Sequence, residues 1–158
     1  MIPNIGLSPG DRESVVALLN VLLADEYVLY TKTRNYHWNV KGPHFHDLHK
    51  FFESQYEAID ETIDEVAERA RTLGGAAAAT LVEFTHAARL KEQPGTVPTA
   101  TQMISNLVDD HEAIIRILRV DQEACTAQYH DAGTADFLTG LMEEHEKMAW
   151  LLRAHLES

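Results

Sequence analysis

The sequence predicts an all-α protein, and three observations carry the prediction. Apolar residues recur at three- and four-residue steps through four long stretches. Turn signals separate those stretches: Gly42-Pro43, Gly74-Gly75, Pro94-Gly95 and Asp131-Ala132-Gly133. No segment alternates polar and apolar residues in the manner of a strand. The order is two long helices, a long connection holding a short helix, then two more long helices. That order fits a four-helix bundle with one crossover.

Each element has its own warrant. Ser8-Pro9 opens the first helix, with Ser8 as N-cap and Pro9 at the first helical position. Val15, Leu18, Leu19, Leu22, Leu23, Tyr27 and Tyr30 then form one stripe, giving a helix over residues 9–39. Gly42-Pro43 breaks it. The second helix runs from Phe45 to about Leu73, with Phe52, Tyr56, Ile59, Ile63, Val66 and Ala70 inward, and stops at Gly74-Gly75. Thr80-Leu81-Val82-Glu83-Phe84 reads as a short helix within the connection. Thr99 and Gln102 make a capping box that opens the third long helix, to about Gln128. Its stripe includes Ile104, Leu107, Val108, Ile114, Ile115, Leu118 and Val120. Asp131-Ala132-Gly133-Thr134 is a turn, and Thr134 caps the last helix, to about Leu156. Residues 1–8 are a short N-terminal extension, and residues 9–158 form a single domain.

Composition narrows the function. At 158 residues the chain is one domain's worth. No apolar run reaches membrane-spanning length, and the N-terminus lacks the basic and apolar regions of a signal peptide. The single cysteine, Cys125, excludes an intrachain disulfide, which fits the cytoplasm. The net charge of −12 attracts cations and repels the phosphate backbone of nucleic acids.

Four residues carry the chemistry: His37, His49, Asp64 and Glu68. All are metal-ligand types, and Asp64 and Glu68 form an i, i+4 pair. His37 stands six residues before Pro43 and His49 six after. In an antiparallel hairpin, positions equidistant from the turn lie level, so the two imidazoles converge. Asp64 lies 15 residues beyond His49, about 22 Å along one helix. One ion does not span that distance, so a shared site needs two copies of the chain. A two-fold pairing of second helices would set the carboxylates of one copy against the histidines of the other, giving two sites per dimer.

Taken singly, each acid on the second helix reads as solvated surface. Together His49, Glu53, Asp60, Asp64 and Glu68 fall within about a 100° arc. His44 and His46 flank the turn as accessory or exposed residues. His86, His111, His130, His145 and His155 show no matched spacing. Glu83-x-x-His86 is the only Glu-x-x-His, where bundles with a di-iron centre inside one subunit carry two. No zinc-protease motif or phosphate loop is present.

The segments Tyr36-His37-Trp38-Asn39-Val40-Lys41-Gly42-Pro43-x-Phe45-x-x-Leu48-His49 and Asp64-Glu65-Val66-Ala67-Glu68-Arg69-x-x-x-Leu73-Gly74-Gly75 resemble the signature of the Dps family. These are the DNA-binding proteins from starved cells, or mini-ferritins. The resemblance continues through Thr80-Leu81-x-Glu83-Phe84, the Thr134-Ala135-Asp136 region and Trp150. It implies a ferritin-like four-helix bundle assembled into a dodecamer, a hollow homo-oligomeric cage with a ferroxidase centre at each two-fold interface. It implies His37 and His49 as ligands from one subunit, and Asp64 and Glu68 as ligands from its partner. Glu53 falls near the second metal position, where the family often has an aspartate, and Trp38 beside the centre. Asp136 matches a position in a three-fold pore, and Asp131 lies close to it. The implied reaction oxidises Fe(II), with hydrogen peroxide in preference to dioxygen, and stores Fe(III) inside the cage. This would protect the cell and its DNA from oxidative damage.

Members that bind DNA often carry a lysine-rich N-terminal tail. Residues 1–14 hold one basic residue, Arg12, so direct DNA binding is not expected. Two rival readings remain: a DNA-compacting structural protein, and a scaffold holding zinc or another divalent ion without turnover.

Overall fold

The computed structural model describes residues 3–157. It contains α1 (Pro9–Asn39), α2 (Phe45–Thr72), α3 (Leu81–Ala87), α4 (Ala100–Ala127) and α5 (Ala132–Ala154), with no strand among the described residues. The helices form two hairpins, α1 with α2 and α4 with α5, and α3 lies against α1. The shared core includes Leu19, Leu22 and Leu29 from α1, Phe52, Ile59 and Val66 from α2, Leu107, Ile114 and Leu118 from α4, and Leu138 and Leu152 from α5. This is the four-helix bundle with one crossover that the sequence predicts.

The first boundary forms as expected. Ser8 Oγ accepts from the Asp11 amide at 3.1 Å, and Pro9 follows. At the far end of α2, Gly74 takes φ +85°. Gly75 lies so close to α1 that a Cβ there would meet Val16 Cγ1 at 2.3 Å. The Gly-Gly pair thus ends the helix and lets the chain cross α1 closely.

Four details depart from expectation. The full capping box is at Thr80–Glu83, not Thr99–Gln102. Thr80 Oγ1 accepts from the Glu83 amide, and Glu83 Oε2 accepts from the Thr80 amide at 3.0 Å. Thr99 Oγ1 accepts from the Gln102 backbone amide and so caps α4, but the Gln102 side chain turns away and donates through Nε2 to Asn106 Oδ1 at 3.3 Å. The last helix is capped by Asp131 rather than Thr134, and starts at Ala132. Asp131 reaches the Thr134 amide at 2.9 Å, which makes Thr134 the third residue of the helix. Val120 is 67% exposed, off the inward stripe. Finally, α1 is long and apolar enough to cross a membrane by length and composition. In this fold it lies within the bundle and buries the ionisable side chains of Asp25, Glu26 and Lys32.

Polar ties hold the two hairpins and the connection together. Lys32 Nζ meets Asp110 at 2.6 Å, and Asn106 donates to the Tyr36 hydroxyl at 2.9 Å, both between α1 and α4. Asp25, fully buried on α1, accepts from the Arg89 and Leu90 amides at 2.6 and 3.1 Å and from Arg89 Nε at 2.7 Å. It anchors the stretch after α3 to α1.

Candidate metal centre

The turn between α1 and α2 is tight, so the end of α1 and the start of α2 lie side by side. His37 and His49 face each other there with ring centroids 3.8 Å apart and planes 20° from parallel. Each ring bonds to the other residue's backbone. His37 Nδ1 lies 2.7 Å from the His49 carbonyl, and His49 Nδ1 lies 2.8 Å from the His37 carbonyl. A carbonyl only accepts, so both Nδ1 atoms carry the proton. In a neutral ring so fixed, Nε2 carries the lone pair, the form in which imidazole binds a metal. The bond to His37 also satisfies a carbonyl in the last turn of α1, where helix carbonyls lack intrahelical donors.

Aromatic side chains frame the pair. The Tyr56 ring meets His37 edge-on at 5.3 Å, and Phe45 stacks on His49 at 5.2 Å. Burial, with Glu53 and Glu57 adding to it, raises the Tyr56 pKa and keeps the phenol protonated. Arg34 lies over the rings of Tyr30, Trp38 and Tyr56 at 5.4, 5.0 and 5.3 Å. Trp38 is 64% exposed and packs on Arg34.

Glu53, one helical turn beyond His49, is ion-paired with Lys50 at 2.6 Å. That hydrogen bond is the largest influence on its carboxyl, which sits below the usual carboxylate range, and both histidines add to the lowering. Glu53 therefore lies within the field of the imidazole pair, with a lysine as its present counter-ion. Lys50 offers a cation no ligand atom while it is charged, so the sequence marks it only indirectly. Its signal was the i, i+3 spacing to Glu53.

The structure brings His37, His49 and Glu53 to one end of the α1–α2 hairpin. It leaves Asp64 and Glu68 exposed, toward the other end of α2. Among the described residues, no three metal-ligand side chains of one chain gather at a point that could hold an ion. One chain thus presents an imidazole pair and, separately, a carboxylate pair. Of the two acids near the start of α5, Asp131 is buried and bound to Thr134 and, at 3.3 Å, to Arg69. Asp136 is exposed. His44 and His46 are exposed beside the turn.

Comparison with known proteins gives a consistent picture. A family described as ferritin-like domain matches residues 16–158. An uncharacterised low temperature-induced protein of Nostoc sp. is 52% identical over 154 residues, covering 98% of this chain and 86% of that protein. A DNA protection during starvation protein of Brevibacillus brevis is 38% identical over 146 residues, covering 92% of this chain and 97% of that protein. The crystal structure of a Dps protein from Vibrio cholerae O1 superposes with a TM-score of 0.91 at 32% identity, covering 99% and 98% of the two chains. That protein is described as a member of the broad superfamily of ferritin-like diiron-carboxylate proteins.

Proposed function

The chain belongs to the Dps family of ferritin-like proteins, and on that premise we propose that it is a ferroxidase whose iron centre is shared between two subunits. The observation that carries this reading is the His37–His49 pair. Both rings are fixed with Nδ1 protonated, and both are left with Nε2 free. Iron is the substrate. The imidazoles of one subunit hold Fe(II), and the partner subunit's Asp64 and the partner subunit's Glu68 close the site. Carboxylates favour the ferric product, and a small ligand set leaves positions for the oxidant. Glu53 reaches the second metal position once it releases Lys50.

Hydrogen peroxide is the preferred oxidant in this reading. One peroxide takes one electron from each of two ferrous ions. With two protons it yields two ferric ions and two waters, and no hydroxyl radical escapes. Twelve subunits enclose the ferric product in a cytoplasmic shell. Adding ferrous iron and peroxide to the protein should raise ferric absorbance far faster than buffer does. If zinc or iron binds the centre yet oxidation runs at the buffer rate, the protein is a metal scaffold and not a ferroxidase.

Direct binding of DNA is not part of the proposal, because a subunit of net charge −12 repels phosphate. No mobility shift of duplex DNA is expected at physiological salt with metal chelated, and sub-micromolar binding under those conditions would contradict this.

Iron enters, on the same proposal, through an acidic channel where Asp136 repeats around a three-fold axis and draws in cations. Asp131 is committed to capping α5 and to Arg69, so the channel charge falls to Asp136. Asp136→Asn should slow iron uptake and flatten its salt dependence in an intact cage. Unchanged uptake kinetics would reduce Asp136 to an exposed acid early in α5.

A further inference from the structure

The bundle core holds three titratable side chains that the interface chemistry leaves unused. Glu26 of α1, His111 of α4 and His145 of α5 have no exposed surface. His145 links the other two. Its Nδ1 lies 2.9 Å from His111 Nδ1, and its Nε2 lies 2.9 Å from Glu26 Oε1. Two ring nitrogens at that distance share one proton.

The contact with Glu26 is of a different kind. It is short enough for a hydrogen bond, yet the ring N–H direction misses the oxygen. Both Glu26 oxygens and His145 Nε2 are left without a hydrogen-bond partner, as is His111 Nε2. Among the described residues, no lysine or arginine pairs with Glu26. A buried carboxylate is normally satisfied by donors or by a cation. An imidazole nitrogen and a carboxylate oxygen lying side by side, unpaired, are two lone pairs in search of one positive charge. Two ligands at about 2.1 Å from a divalent ion stand about 3.0 Å apart when they subtend roughly a right angle.

We infer that Glu26 and His145 form a second divalent-metal site inside the bundle of each subunit, with His111 as its positioning residue. Glu26 binds through one or both oxygens and His145 through Nε2. A carboxylate with an imidazole suits first-row ions such as Zn(II), Co(II) or Fe(II). His111 faces His145 through Nδ1, and its Nε2 has no hydrogen-bond partner. With the lone pair at Nδ1, it accepts the His145 Nδ1 proton and leaves His145 Nε2 bare for the ion. The site is distinct from the interface centre. Glu26 lies 11 residues before His37, about 16 Å along α1, and both ligands come from one chain. An ion there ties α1 to α5 across the two hairpins, a structural role.

The inference is independent of the ferroxidase reading, and its test keeps the two apart. Crystals of the wild-type protein grown with Co(II) are expected to show anomalous density within bonding distance of Glu26 and His145. Ions at the subunit interface would appear as separate peaks. In solution, Zn(II) is expected to raise the melting temperature of the His37→Ala, His49→Ala, Asp64→Ala, Glu68→Ala variant. Glu26→Gln added to it should abolish the rise. His111→Gln should weaken zinc affinity about 10- to 100-fold and not abolish it. Interface peaks with no density between Glu26 and His145 would overturn the site and leave a proton as the only cation there. A zinc-induced rise that survives Glu26→Gln would overturn it equally. Should Glu26→Gln fail to assemble, the anomalous map of the unaltered protein decides alone.

Discussion

Two inactive variants of this chain, mixed and reassembled, are expected to recover about a quarter of the wild-type iron centres. One variant, His37→Ala with His49→Ala, lacks imidazoles but keeps carboxylates. The other, Asp64→Ala with Glu68→Ala, keeps imidazoles and lacks carboxylates. Neither alone assembles a complete centre, so each should lose nearly all peroxide-dependent ferrous oxidation. In a 1:1 mixture half of the two-fold pairs are mixed. Each mixed pair has one complete site and one that lacks both imidazoles and both of the partner's carboxylates, so about one site in four is restored. The measurement is the initial rate of ferric absorbance after unfolding and refolding the mixture. The variants mixed without reassembly serve as the control. A mixed assembly no faster than its parents would place the carboxylates elsewhere. Restored activity would exclude any centre built within one chain.

The largest effect on stability is expected at Asp25. The side chain is fully buried, and its two oxygens accept the Arg89 and Leu90 amides and Arg89 Nε. Asp25→Ala strips two backbone donors and a guanidinium of their acceptor in one step. Breaking a buried pair from one side costs about 3–5 kcal/mol. Asp25→Asn keeps one acceptor oxygen for the amides and gives up the charge, so it should cost less, about 1–3 kcal/mol. The denaturant midpoint, compared at equal subunit concentration because assembly contributes to stability, reads both. A loss below about 1 kcal/mol for Asp25→Ala would mean that the segment after α3 is held by something other than this anchor.

The repeating pattern of the chain made the helices legible, because a stripe of apolar side chains is dictated by the bundle it lines. The start of α1 was equally legible, since Ser-Pro supplies a cap and a preset first residue together. The caps of α4 and α5 were less so. Thr99 and Gln102 have the right spacing, but Asn106 draws the Gln102 side chain away. Asp131 and Thr134 are both good caps, and only the three-dimensional path of the chain chose the first. The imidazole pair was legible because His37 and His49 are equidistant from Pro43. The same rule applied to the other hairpin would have found His111 and His145, 18 residues before and 16 after Tyr129. A looser turn hid that match. Glu26 was invisible in the sequence, since one acid in an apolar stripe looks like any acid until its burial is known. Lys50 escaped notice because a lysine is not a ligand, and its part is to neutralise one.

The two ends of the α1–α2 hairpin carry opposite halves of the proposed centre, and this bears on the life of the chain before assembly. A newly made subunit holds an imidazole pair and a carboxylate pair that do not reach each other. Dilute, unassembled chains are therefore expected to leave ferrous iron unoxidised, with activity rising as the square of concentration until dimers saturate. Ferric product would then form only where a partner stands ready to enclose it, and a misfolded or orphan subunit would seed no mineral in the open.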